Sequence, residues 1–188
     1  MNSRFRVHLQ GIKPILFDRY AGNNTTNLPP EQKMYINPRG VVCLPVINIY
    51  AALATESPTS AVKMEFGKAA KKVAIGVQAF LGFDQTEIPF TDDEGEEIVF
   101  SKFDGVKFRV LNHVAKVKKG SLSVPLPKER PCMAPPWNLR FECALNQNQY
   151  CTDNDLKALF MRAQVMGFGT FRPQFGGFRL VSWDKIDS

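Results

Sequence analysis

The residues from Trp137 to Leu145 alternate strictly, apolar at odd positions and polar or small at even ones, and this period of two constrains the fold more than any other stretch. Such a segment is a strand with one face on a core. A helix follows it, capped by Thr152 or Asp153, with Leu156, Leu159, Phe160 and Ala163 on one stripe and an end at Met166 and Gly167. Beyond a glycine-rich loop, Phe178 to Trp183 reads as a last strand, fraying from Asp184. Near the other terminus Phe5, Val7 and Leu9 alternate with Arg6, His8 and Gln10, a first strand that ends at Gly11, with residues 12 to 17 continuing or bending it.

Between these ends the periods change. Asp18-Arg19-Tyr20 leads into a polar segment, Gly22 to Lys33, that has no period and reads as a mobile surface loop. The turn Asn37-Pro38-Arg39-Gly40 sits between two short apolar runs and predicts a hairpin. Pro45 opens a helix to about Thr55 with Ile47, Tyr50, Ala51 and Ala54 on one face. A second helix from Ala61 carries Val62, Phe66, Ala69, Val73 and Val77, which leaves Lys63, Lys68, Lys71 and Lys72 to solvent. Asp92 to Glu97 form an acidic turn between Ile88-Pro89-Phe90 and Ile98-Val99-Phe100, a hairpin without EF-hand ligand spacing. Its charge places that edge away from any phosphate backbone. Residues 106 to 117 read as a strand, and Pro125 to Pro136 as a proline-rich connection.

This order predicts an α+β fold of ferredoxin-like type, an antiparallel sheet with helices on one face, with insertions near 18–34 and 82–105. In 188 residues, 44% apolar, there is material for one core and hence one domain. No apolar run reaches the ~20 residues of a membrane span, and the N-terminus lacks the apolar stretch of a signal peptide, so a cytoplasmic protein is expected. Cys43, Cys132, Cys143 and Cys151 form no CxxC pair and lie far in sequence from His8 and His113; reduced, buried thiols and no metal or other cofactor are expected.

The chemistry concentrates in the C-terminal loop. Gly167, Gly169, Gly176 and Gly177 allow unusual backbone and close approach of a polymer, Phe168, Phe171, Phe175 and Phe178 offer flat faces, and Arg172 and Arg179 offer charge. The plainer reading makes Gly167 a helix C-cap and the phenylalanines core. The helix-then-strand order excludes a dinucleotide fingerprint, and no Walker lysine is present. With a net charge of +6, the loop points to nucleic acid, joined by Lys68, Lys71 and Lys72 on the helix and Arg39 in its turn.

Arg130-Pro131, Trp137, the final helix and the glycine-rich loop in this succession resemble the RAMP superfamily of CRISPR-associated proteins, in particular the subunits that form the backbone of Cascade-type complexes and their relatives on phages and mobile elements. The resemblance implies binding of single-stranded RNA or DNA along one face, with self-association or association with related subunits. The loop residues Gly167, Gly169, Arg172, Gly176 and Gly177 match its motif; Arg39 and the lysines come from charge and placement. Residues 18 to 34 depart from the pattern, leaving open whether they serve as the protruding thumb of such subunits. Some relatives cut RNA without metal, which needs a base and an acid, commonly a histidine; here His8 and His113 each lie in a strand, where a structural role is the commoner one. Binding without catalysis is therefore expected, with a ribonuclease or an assembly protein that touches no nucleic acid as the alternatives.

Overall fold

The computed structural model describes residues 2–22, 28–55, 60–119 and 122–186. Its elements in chain order are β1 (Asn2–Gly11), β2 (Ile15–Leu16), β3 (Cys43–Pro45), α1 (Val46–Ala54), α2 (Ala61–Phe66), α3 (Ala70–Phe80), β4 (Leu81–Phe83), β5 (Glu87–Thr91), β6 (Phe108–Lys119), β7 (Leu122–Met133), β8 (Asn138–Asn146), α4 (Asp153–Met166) and β9 (Phe178–Ile186). They form an α+β structure with two antiparallel sheets.

The larger sheet has the order β3-β5-β8-β1-β9, with β4 also on β8. Its centre is the pair predicted from alternation: Phe5 faces Cys143, Val7 faces Phe141 and Leu9 faces Leu139. These six side chains are buried because their face carries the helices. Phe160 of α4 lies 6.1 Å from Phe141 and 5.3 Å from Trp183 between ring centroids. Each large apolar side chain so buried contributes about 1.5–3 kcal/mol against chain entropy. The other face carries Arg4, Arg6, His8 and Gln10; Arg4 pairs with Asp84 at 2.5 Å and Arg6 with Glu142 at 2.8 Å. Two helical crossovers organise the sheet. One carries the chain from β1 over β8 to β4, and the other, through α4, carries it from β8 over β1 to β9.

Helix α4 follows its sequence pattern closely. Thr152 Oγ1 accepts from Asp155 N while Asp155 Oδ2 accepts from Thr152 N at 2.9 Å, a closed capping box. Other segments differ from expectation. The helix expected from Ala61 to Val77 is broken at Gly67, whose φ of +50° ends α2 and starts a 3-10 turn before α3. Helix α1 buries Ile49, Ala52, Leu53 and Ala54; of the expected face only Ala54 is fully buried, and Ile47 is 67% exposed. Asn48 is its one strongly polar side chain, so its own pattern could not choose a face. Strand β9 runs on to Ile186 because Asp184 and Lys185 still pair with Arg6 and Phe5.

The largest correction concerns residues 125 to 136. They are not a connection: most belong to β7, which pairs with β6 from Lys119–Leu122 down to Phe108–Met133. Pro125, Pro127 and Pro131 all occupy odd positions, and the Pro131 carbonyl accepts from Phe17 N on the side away from β6. The missing N–H groups therefore fall on the outer edge of the strand, where the ladder to β6 does not need them. Strand β2 pairs with β7 only at Cys132 and Met133, so the rest of β6–β7 is a two-stranded ribbon, roughly 33 Å long if fully extended.

The described parts of 18–34 are anchored at the foot of that ribbon. Pro30–Lys33 form a 3-10 turn, Arg19 N donates to Lys33 O, and Lys33 is buried with Nζ donating to the Glu129 carbonyl at 2.6 Å. Residues 23–27 lie outside the described residues. The element that projects is the ribbon. All four cysteines are unpaired and buried, and burial pushes Cys43 up to about 11 and Cys143 and Cys151 up to about 12. No helix among the described residues is long and apolar enough to cross a membrane, and no cluster of three metal-ligating side chains occurs among them.

Candidate nucleic-acid interface

The glycine-rich loop is fastened to the β1–β2 connection. Ile12 N and Lys13 N donate to Gly177 O, Gly176 N donates to Pro14 O at 2.7 Å, and Thr170 N donates to Leu16 O at 3.1 Å. The chain passes so close to itself that a Cβ on Gly169 would lie 2.4 Å from Leu16 O, and one on Gly176 would lie 1.9 Å from Phe168 O. Both have positive φ, +76° and +73°. Their demand for glycine thus arises inside the fold, where the sequence suggested approach by a polymer. Phe168 and Phe178 are likewise core, stacked at 4.6 Å and buried, so neither offers a face to a ligand.

What remains outward is the apex, Phe171 to Phe175. It reaches the foot of the ribbon. Phe171, at φ +57°, stacks on His113 of β6 with centroids 4.8 Å apart and lies under the Arg130 guanidinium of β7 at 4.6 Å. Phe175 meets His113 edge-on at 5.7 Å. The strand register explains the convergence: Arg109 faces Cys132, Leu111 faces Arg130 and His113 faces Lys128, so Arg109, His113, Lys128 and Arg130 share one face of the ribbon. Arg130 is only 5% exposed and gives both Nε and Nη2 to Asp18 Oδ2, at 2.9 and 2.8 Å. Burial pushes the neighbouring Lys33 ammonium below the usual lysine range.

Arg172 stands in the same apex, half-buried, and desolvation lowers its pKa. Among the described residues it has no hydrogen bond or ion pair. A guanidinium partly removed from water with no carboxylate beside it is suited to an incoming anion. The other residues named from sequence lie apart from this cluster. Arg39 is paired with Glu97 at 2.7 Å. Lys68, Lys71 and Lys72 are exposed on the helical layer, in the turn before α3 and in its first turn. Gly167 ends α4, its N–H donating to Ala163 O, and Gly177 packs on the Lys13 stem. Arg179 donates to Gln10 Oε1 on the open sheet face, where His8 Nε2 lies 2.8 Å from Asn138 Oδ1.

Sequence reasoning missed Asp18, Lys33, Lys128 and Arg130 as members of the site. The signal was the spacing of Pro125, Pro127 and Pro131, which marks one edge of a strand and puts Lys128 and Arg130 on one face of it.

No protein-family model matches this sequence, and no curated protein matches it. Among solved structures it matches a chain of the type III-B Cmr-beta complex bound to cognate target RNA, determined by cryo-EM. The TM-score is 0.61 at 12% identity, over 98% of this chain and 61% of that one. This chain therefore spans less than two thirds of the length of the one it matches, and the likeness establishes the fold.

Proposed function

We propose that this protein binds single-stranded RNA between the apex of its glycine-rich loop and the foot of the β6–β7 ribbon, as a RAMP-like subunit of a CRISPR-type ribonucleoprotein. The observation that carries the reading is the docking of the loop apex, which bears Arg172 and Phe175, on the ribbon face that bears Arg109, Lys128 and Arg130, through the contacts of Phe171 and Phe175 with His113 and of Phe171 with Arg130. Single strands are held by this combination of charge and flat apolar surface. The two crossovers support the reading of the larger sheet as a ferredoxin-like core, in which the ribbon would take the role of the projecting thumb. The fold shared with a chain of an RNA-bound complex supports the same reading. A binder is favoured over a nuclease because His8 and His113 lie on different sheets, one bonded to Asn138 and the other stacked on Phe171, and so supply no acid–base pair at one bond.

The test begins with the purified protein: its absorbance ratio and nuclease sensitivity show whether it carries nucleic acid. Fluorescence anisotropy with a labelled RNA 20-mer between low and moderate salt then measures the slope, about 0.7 per phosphate contact for single strands. A salt-dependent affinity for RNA, with the RNA left intact, is expected. No binding at low salt, or an affinity indifferent to salt, overturns the proposal; cleavage abolished by His8→Ala or His113→Ala replaces it with the ribonuclease reading.

A further inference from the structure

We infer that Arg130 and His113 form a subsite for one phosphodiester of the strand, covered in this structure by Phe171 as a lid. The inference rests on the RNA-binding reading and specifies what part of the strand this place takes.

Arg130 uses one edge of its guanidinium on Asp18, but Nη1, on the far side, is buried with no acceptor among the described residues. His113 Nε2 is buried and unpartnered in the same way. Buried polar atoms are rarely left so, since each forfeits its hydration, and two of them together mark a place where a ligand supplies the partner. They are diagonal neighbours on one ribbon face, within reach of one another's long side chains. Both side chains contact the same Phe171 ring.

The ligand chemistry follows from charge and geometry. Lys33, Lys128 and Arg130 outnumber the acidic groups beside them, Asp18 and Glu129, so the subsite attracts an anion. A phosphodiester offers two acceptor oxygens, which suits a guanidinium edge beside an imidazole N–H. A base would need a free aromatic face, and here Phe171 is already stacked on His113 and lies under Arg130. The strand is therefore held by its backbone at this point, with no base read. Access requires the lid to move. Phe171 is the one described non-glycine residue with positive φ, a conformation that costs free energy and is kept by the contacts on its ring. An anion that takes over Arg130 Nη1 and His113 Nε2 replaces those contacts and lets the backbone at Phe171 relax.

The experiment uses the full chain and a labelled single-stranded RNA in which one phosphate at a time is replaced by an uncharged methylphosphonate. The parent is expected to lose about tenfold in affinity at one position of the bound segment. Arg130→Lys keeps the charge beside Asp18 without the second guanidinium edge; with folding checked by circular dichroism, since it also gives up one bond to Asp18, it should bind about tenfold more weakly and show no further loss at that position. His113→Gln should bind less tightly with the same position affected. Phe171→Gly removes the lid and tolerates the positive φ, so it should bind several-fold more tightly than the parent. If Arg130→Lys and His113→Gln bind and respond to methylphosphonate as the parent does, the subsite is overturned while RNA binding stands. Weaker binding by Phe171→Gly makes Phe171 a contact and overturns the lid. A parent that binds no RNA overturns both the subsite and the reading beneath it.

Discussion

Replacing Gly176 by alanine tests whether the glycine-rich loop is shaped by the chain's own close approach. The residue sits at φ +73°, where an L side chain costs about 1–2 kcal/mol. Its new methyl group would lie 1.9 Å from Phe168 O and 2.7 Å from Phe168 N, both backbone atoms that no side-chain rotation can clear. Relief requires the loop to part, which strains or breaks the bonds from Phe168 N to Gly176 O and from Gly176 N to Pro14 O, worth about 1 kcal/mol each. The sum is about 3–4 kcal/mol, a large part of the 5–15 kcal/mol that holds a typical domain. At roughly 2–4 °C per kcal/mol for a chain of this size, the melting midpoint should fall by about 6–16 °C. Gly105→Ala is the control: its φ is +75° with nothing near the added methyl, so it should cost only the conformational part. Thermal and urea unfolding followed by circular dichroism measure both. If Gly176→Ala and Gly105→Ala cost the same within about 0.5 kcal/mol, the close approach does not determine the loop and the reasoning fails.

Trp137→Ala should cost about 3–5 kcal/mol in urea unfolding, since the fully buried indole donates to Lys13 O at 3.0 Å; the same ring occupies the place of a Cβ on Gly11, 1.9 Å away, so Gly11→Ala should be severely destabilising in the parent and much milder beside Trp137→Leu. Cys143 and Cys151 stay protonated in the fold well above the ordinary 9.0 of a thiol, so stability present below pH 9 should decline as pH rises towards 12, by up to about 1.4 kcal/mol per unit for each thiol; a Cys143→Ala, Cys151→Ala variant should show a shallower decline in urea midpoint. Arg172→Ala should weaken RNA binding by about 1–3 kcal/mol, whereas replacing Lys68, Lys71 and Lys72 together, on a surface apart from the loop, should lower affinity evenly across sequences and flatten the salt slope, both read by anisotropy.

Much of the sheet and of α4 was legible in the sequence because both are local patterns with one possible partner face. The alternation of Phe5, Val7 and Leu9 and of Leu139, Phe141, Cys143 and Leu145 specifies two half-buried strands whatever lies between them. The Thr152–Asp155 capping box and the stripe through Leu156, Leu159 and Phe160 do the same for α4. Helix α1 was legible as a helix but not in its orientation, because its composition is apolar on nearly every side and only the neighbouring β3, α2, α3 and α4 choose what is buried.

The site divides along the same line. That the loop after α4 has an unusual backbone can be read from Gly169 and Gly176, and that it carries charge from Arg172. Which of its rings meet a ligand cannot: Phe168 and Phe178 differ from Phe171 and Phe175 only in the direction that the pinned backbone gives them. Arg130 was hidden further, since prolines in a linear reading mark a break, and only the pairing of β7 with β6 on one side leaves their missing N–H groups harmless on the other. Residues 113, 130 and 171 come together through contacts across long stretches of chain, and no local period carries that information. The sequence by itself determined β1, β8, β9, the last helix and the presence of a basic, aromatic loop; the tertiary structure alone made a strand of β7, placed that loop against the ribbon and left Arg130 Nη1 and His113 Nε2 without partners among the described residues.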